Sequence, residues 1–263
     1  MPAAKRAKLI DVTAANVAEK GFFCFMSKPQ TAGYQRKLNW LQARFAEGMR
    51  LKMYELPERG FIEYIPGEHA WRTVEAKGYL FIHCLWVVGK SKGQGLGTRL
   101  LKACIKDARE AGMHGVAMLT SGGNWLAGKE LLLQHGFKSI AQAPPAFDLM
   151  ALPFDAAPAP TLLNHWEEKA AACGRGLTVF RSDQCPYIDD AAKTVSDTAQ
   201  KLCLENRVVE LRTCEDVRNL SPSPFGVFSI VYNGKLLSYH YVLEKELLKR
   251  LEEFDQKGIH HER

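Results

Sequence analysis

The segment Lys90-Ser91-Lys92-Gly93-Gln94-Gly95-Leu96-Gly97-Thr98 carries the residues best suited to hold a ligand. It joins an apolar strand-like run at 79–88 to an amphipathic helical run at about 95–111. The first turn of a helix has N–H groups without intrahelical acceptors, and the positive end of the helix dipole lies there. Glycines at 93, 95 and 97 omit the Cβ atoms that would keep a ligand away from this backbone. The arrangement predicts a diphosphate cradle at a helix N-terminus. Two familiar phosphate loops do not fit. Gly89-Lys90-Ser91 resembles the end of a P-loop, but the glycine required five positions earlier is Cys84. A G-x-G-x-x-G pattern begun at Gly93 ends on Thr98, and one begun at Gly95 ends on Leu100. A second candidate is Cys185, placed after a strand-like run and before a helical one, where the dipole and open N–H groups favour a thiolate.

The elements that must position these residues follow from periodicity. A helix is predicted over 30–49, where Tyr34, Leu38, Leu41 and Phe45 recur at helical spacing. Strands are expected at 51–56, 60–65, 79–88, 115–120, 137–141 and 147–152, with helices at 95–111 and 125–135. The run at 79–88 is apolar on both faces, as a central strand requires. Beyond residue 160 the pattern predicts helix 161–172, strand 177–180, helix 186–202, strands 208–211 and 227–232, a hairpin turn at Asn233-Gly234, strand 235–239 and helix 243–255. The first part is mixed α/β with antiparallel connections at both ends. A Pro/Ala-rich stretch divides the chain into 1–153, a linker at 154–162, and 163–263.

Composition narrows the class. With 46% hydrophobic, 24% charged and 10% aromatic residues, the chain is expected to fold as an ordinary globular protein. No apolar stretch is long enough to predict a membrane span, and the basic N-terminus does not lead into a secretory signal. The net charge of +6 is spread along the chain, which argues against a nucleic-acid partner and equally suits a small polyanionic ligand. Seven cysteines form no Cys-x-x-Cys pair, so neither a disulfide scaffold nor a metal site is expected, and the compartment is read as the cytoplasm.

The loop also fits Q/R-x-x-G-x-G/A, with Lys92 in first place followed by Gly95 and Gly97. In this the chain resembles the GNAT family of acyl-CoA-dependent N-acetyltransferases. Asn124-Trp-Leu-Ala127, followed by Gly136-Phe137, is similar to the second signature of that family. The resemblance implies a GNAT α/β (α+β mixed-sheet) fold over most of 1–152, with acetyl-CoA as cosubstrate. It implies that Leu85, Trp86 and Val87 offer main-chain groups to the acetyl and pantetheine portions. Lys92, Gly93, Gln94, Gly95, Leu96, Gly97 and Thr98 would hold the diphosphate, and Asn124 would touch the cofactor in the groove. The family often has a tyrosine four residues before Gly-Phe; here that position is Leu132. Attack by an amine needs a base. His83 and Glu63 are the candidates, set against a satisfied core histidine and a solvent-facing strand carboxylate. Cys84 reads as a small core residue rather than a nucleophile. The group Glu68-His69-Ala70-Trp71-Arg72 is either part of the acceptor pocket or a surface loop.

Cys185-Pro186-Tyr187 resembles the glutaredoxin branch of the thioredoxin-like fold, although Ile188 stands where a second cysteine would allow dithiol cycling. The whole chain is similar to GNAT proteins with a YoaP-like C-terminal domain. That likeness implies an N-acetyltransferase acting on a small-molecule or peptide amine, with a homodimer left open. The alternative is a CoA-binding sensor, or a thiol-binding or redox protein working through Cys185 without acetyl transfer.

Overall fold

The computed structural model of the chain describes residues 7–122 and 126–259. They divide into two compact units. One takes the chain up to Pro29, Leu38–Ala70 and Val74–Leu162; the other takes Gln30–Lys37, Trp71–Thr73 and the chain from Leu163 onward. Among the described residues, no helix is long and apolar enough to cross a membrane.

The first unit opens with β1 (Leu9–Val12), α1 (Val17–Lys20), α2 (Ala32–Phe45, its first turns counted with the second unit), β2 (Arg50–Tyr54) and β3 (Gly60–Pro66). It continues with β4 (Val74–Glu75), β5 (Tyr79–Val87), α3 (Leu96–Glu110), β6 (Gly115–Ser121), α4 (Glu130–Leu133), β7 (Lys138–Ala143), β8 (Phe147–Pro153) and β9 (Thr161–Leu162). Seven strands form one mixed sheet in the order β1-β2-β3-β5-β6-β8-β7. Its neighbours run antiparallel except β5 and β6, whose parallel pairing requires a crossover that α3 supplies.

The stripe Leu96, Leu100, Leu101, Cys104 and Ala108 on α3 is buried against Ile62, Tyr64, Leu80, Ile82, Val116, Met118 and Met150 of the sheet. Each leucine so buried stabilises the fold by about 1.5–3 kcal/mol. One polar clamp ties the helix to the sheet: the Tyr64 hydroxyl donates to Asp107 Oδ2 at 2.5 Å, and Arg50 and Lys52 lie 2.9 and 3.2 Å from the same oxygen. Burial pushes the Asp107 carboxyl up, but these donors and cations outweigh it and hold the group below the ordinary carboxylate value.

Two irregularities in β5 matter for function. Its pairing with β6 covers only Tyr79–Ile82 against Gly115–Met118. Beyond that point β6 stays with β8 as far as Ser121, while β5 stays with β3 as far as Val87, so the two central strands part. On the β3 side, Glu63 pairs with Cys84 and Tyr64 with Ile82, which leaves His83 as the extra residue of a β-bulge.

The second unit contains α5 (Trp166–Ala171), β10 (Leu177–Arg181), α6 (Tyr187–Lys201), β11 (Asn206–Glu210), α7 (Cys214–Leu220), β12 (Phe228–Tyr232), β13 (Lys235–Ser238) and α8 (Glu244–Ile259). Its sheet runs β11-β10-β12-β13, with β10 parallel to β11 and the other pairs antiparallel. Asn233 and Gly234 both have positive φ, 47° and 75°, the conformation that a two-residue hairpin turn demands. A Cβ on Gly33 would collide with the Pro186 carbonyl oxygen, so only glycine lets the first turn of α2 approach the start of α6 this closely.

Two helices differ from expectation. The helix expected over 125–135 shrinks to Glu130–Leu133, with Ala127 and Gly128 left outside it. The helix expected over 161–172 starts only at Trp166, because His165 adopts φ 66°. Thr161 and Leu162, which end the expected linker, pair instead with β4. The 68–72 group is not a surface loop throughout. Trp71 and Arg72 are each 1% exposed, and the Arg72 guanidinium lies 4.8 Å from the Phe225 ring within the second unit.

Candidate functional site

A groove of about 610 Å³ opens where β5 and β6 part. It is lined by Leu85, Val87, the Ser91–Thr98 loop except Gln94, residues 127 and 128 and the α4 residues Glu130, Leu131 and Leu132. The loop leaves β5 through a short 3-10 turn at Gly89–Ser91. Ser91 Oγ fixes its entrance, accepting from Arg59 N–H and donating to Glu58 Oε2, each at 3.0 Å. Gly93 and Gly95 have φ of 75° and 73°, and Gly95 is the N-cap of α3. Their glycine identity thus reflects backbone conformation, since a Cβ at either would meet no protein atom within 4 Å. Gly97 is different: its Cβ would lie 3.3 Å from Leu131 Cδ2.

The first N–H to donate into α3 is that of Arg99, to Gly95 O at 3.2 Å, so those of Leu96, Gly97 and Thr98 precede the helical ladder. The Tyr54 hydroxyl donates to Leu96 O at 3.0 Å and anchors this turn to the sheet. Leu85, Val87, Lys92, Gly93, Gly95, Leu96, Gly97 and Thr98 therefore line a common cavity, with the N–H groups of the first turn of α3 at one end. Trp86 and Gln94 do not line it; Gln94 Nε2 turns back to donate to Lys90 O at 2.7 Å. Asn124 lies outside the described residues. Gly128, Glu130 and Leu131 are lining residues that sequence reasoning did not single out, and Ser91 and Ala127, which lie in the quoted motifs, line it without having been given a role. Leu132 is 1% exposed and belongs both to the groove and to the apolar core.

His83 and Glu63, taken from sequence as separate candidates, are neighbours. His83 Nδ1 lies 3.5 Å from Glu63 Oε1, and their side chains are 0% and 2% exposed. Glu63 is thus not a solvent-facing strand residue. The imidazole stands among Trp40 of α2 and Phe81, with ring centroids 6.1 and 6.2 Å away. It therefore faces the side of the sheet opposite α3.

A second cavity of about 550 Å³ shares Gly128 and Glu130 with the groove and is otherwise lined by 120–122, Lys129 and 142–148. Asp148 organises this wall. It accepts from Gln142 Nε2 at 2.9 Å, Ser139 Oγ at 2.7 Å and Lys129 Nζ at 2.9 Å. The hydrogen bonds from Gln142 and Ser139 hold its pKa down at about 2. In the second unit, Cys185 is half-buried just before the Pro186 N-cap of α6. Arg181, four residues earlier, is committed to Asp189 and Asp183 at 2.9 and 3.0 Å.

Residues 26–137 match the acetyltransferase (GNAT) family. The chain is 29% identical over 235 residues to the "Uncharacterized N-acetyltransferase YoaP" of Bacillus subtilis (strain 168), an overlap of 88% of this chain and 92% of that protein. It is 28% identical over 117 residues to an L-methionine sulfoximine/L-methionine sulfone acetyltransferase of Salmonella typhimurium, covering 44% of this chain and 66% of that one. The structure of yncA from Salmonella typhimurium with its cofactor acetyl-CoA aligns at TM-score 0.42 and 23% identity, covering 59% of this chain and 98% of that one. The chain thus carries an acetyltransferase domain of the GNAT family over residues 26–137.

Proposed function

We propose that the enzyme transfers the acetyl group of acetyl-CoA to a primary amine, on a small molecule or a peptide, by direct attack in a ternary complex. The observation that carries this reading is the parting of β5 from β6 directly above a glycine loop that caps α3. The groove suits the cosubstrate. The Leu96, Gly97 and Thr98 N–H groups, with Lys92 beside them, form an anion site for the diphosphate. Leu85, Trp86 and Val87, unpaired on the β6 side, have main-chain groups available to the pantetheine arm, and Asn124 is the residue expected farther along it. Acetyl-CoA supplies a thioester carbonyl open to nucleophiles. A backbone N–H of the parted strand polarises that carbonyl, and His83, oriented by Glu63, accepts the amine proton directly or through water. The YoaP relative is named for N-acetyl transfer, and the Salmonella relative for an amino-acid derivative that bears an amine.

Leu132 offers no acid to the departing thiolate, so that proton comes from water or from the base. In this reading 1–153 is the catalytic domain, 154–162 the linker, and 163–263 a thioredoxin-like module. The order β11-β10-β12-β13, with a single parallel pair, and the position of Cys185 before α6 support the last assignment. Seven cysteines outside any disulfide fit the cytoplasm. The test is release of CoA thiol and of acetylated product from acetyl-CoA against a panel of amines. Turnover that Gly95→Trp abolishes supports the proposal, whereas binding without turnover on any amine favours a CoA sensor.

A further inference from the structure

The bulge does more than aim His83. Ile62 pairs with Leu85 and Tyr64 with Ile82, and all four belong to the apolar cluster beneath α3. Between these pairs β3 contributes one residue, Glu63, while β5 contributes two, His83 and Cys84. Strand alternation across the bulge then turns all three to the opposite face of the sheet. An acid, an imidazole and a thiol are thus side by side. Cys84 is the register partner of Glu63, and His83 Nδ1 is 3.5 Å from Glu63 Oε1. Glu63 and His83 are buried, but Cys84 is only partly so and is not in a disulfide. The trio stands where β5 leaves β6, next to Leu85 of the groove.

From this juxtaposition we infer that Cys84 is a second acyl acceptor, whose thiol takes the acetyl group from acetyl-CoA when no amine is bound and keeps it as a thioester. The inference rests on the groove binding acetyl-CoA. The sequence pattern alone assigns this thiol to the core; the extra residue in β5 is what brings it beside a base and the orienter of that base. In the exchange the bond from Cys84 Sγ to the acetyl carbon forms as the bond from that carbon to the CoA sulfur breaks. The Sγ proton passes to His83 and on to the departing sulfur, so no oxidant, metal or further reactant is consumed. This route supplies the acid that Leu132 cannot. One thioester replaces another, so the occupancy of Cys84 follows the ratio of acetyl-CoA to CoA.

The test is intact-protein mass spectrometry of the reduced full-length chain after incubation with acetyl-CoA, alongside calorimetric binding of CoA. The expected result is a gain of one acetyl group that maps to the Cys84 peptide and is removed by neutral hydroxylamine. It is absent in Cys84→Ala and in Cys84→Ser, both of which still bind CoA. A readout without cosubstrate accompanies it: alkylation of Cys84 by iodoacetamide is expected to slow about tenfold in His83→Gln. CoA binding with no mass gain, or an acetyl group carried by a lysine or another cysteine, overturns the inference and leaves the groove intact. Failure to bind CoA overturns both.

Discussion

Gly95 offers a clean perturbation because its two burdens can be separated. It caps α3 at φ 73°, and a Cβ there would meet no protein atom within 4 Å. Gly95→Ala therefore creates no clash and costs only the left-handed strain of an alanine, about 1 kcal/mol. For a chain of this size that lowers the melting temperature by about 2–4 °C. If the loop cradles the diphosphate as proposed, the added methyl group is expected to crowd the bound phosphates and cost at least one of their hydrogen bonds to the loop N–H groups. Losing one hydrogen bond to a charged group costs about 1.5–3 kcal/mol, so the Kd for CoA rises roughly 10- to 100-fold. Gly112 provides the matched control. It lies just past the other end of α3, a helix about 22 Å long, with φ 65° and nothing within 4 Å of its Cβ. Gly112→Ala should reproduce the loss of stability and leave CoA affinity unchanged. Thermal melts and isothermal titration of CoA on both variants decide the matter. Equal affinity losses in the two variants, or none in either, would refute the cradle argument.

Glu63→Gln and His83→Gln should each lower kcat about 100-fold and alter the pH–rate profile; an altered melting temperature with an unaltered profile would assign the pair to packing alone. Leu132→Ala removes a fully buried side chain from the apolar core and should destabilise the protein by about 2–5 kcal/mol, read by urea unfolding. Asp148 has a folded pKa of about 2, below its unfolded value, so its contribution is complete above about pH 4 and is lost as pH falls through 2. Asp148→Asn should therefore be less stable than the parent by about 1–2 kcal/mol at pH 6, and the gap should close between about pH 4 and pH 2. A gap that widens on acidification would contradict that assignment.

The glycine loop and the helix it opens were legible because their signal is local. Three glycines sit between a run apolar on both faces and a helical stripe, and the helix expected at 95–111 forms over Leu96–Glu110. The Glu63–His83–Cys84 grouping was not legible, since one residue of register offset between distant strands leaves no trace in the periodicity of either. Strand alternation without the bulge puts His83 and Cys84 on opposite faces. The short α4 and the late start of α5 escaped for a related reason: their apolar spacing suits a helix, but Gly128 and the left-handed His165 set the boundaries. In contrast, α7 carries a readable signal that periodicity overlooks. Thr213 and Asp216 form a capping box, with the Thr213 hydroxyl accepting from Asp216 N–H at 3.0 Å. Arg72 reads equally well as a surface-loop residue until the fold supplies the Phe225 ring as its partner.

The amides themselves can report on the account. Hydrogen–deuterium exchange, followed by mass spectrometry with and without CoA, should show protection concentrated in the peptide that spans Lys92–Thr98, with a smaller effect over Leu85–Val87. Unchanged exchange in that peptide at a CoA concentration that saturates binding, with protection elsewhere, would contradict the groove as the seat of the chemistry.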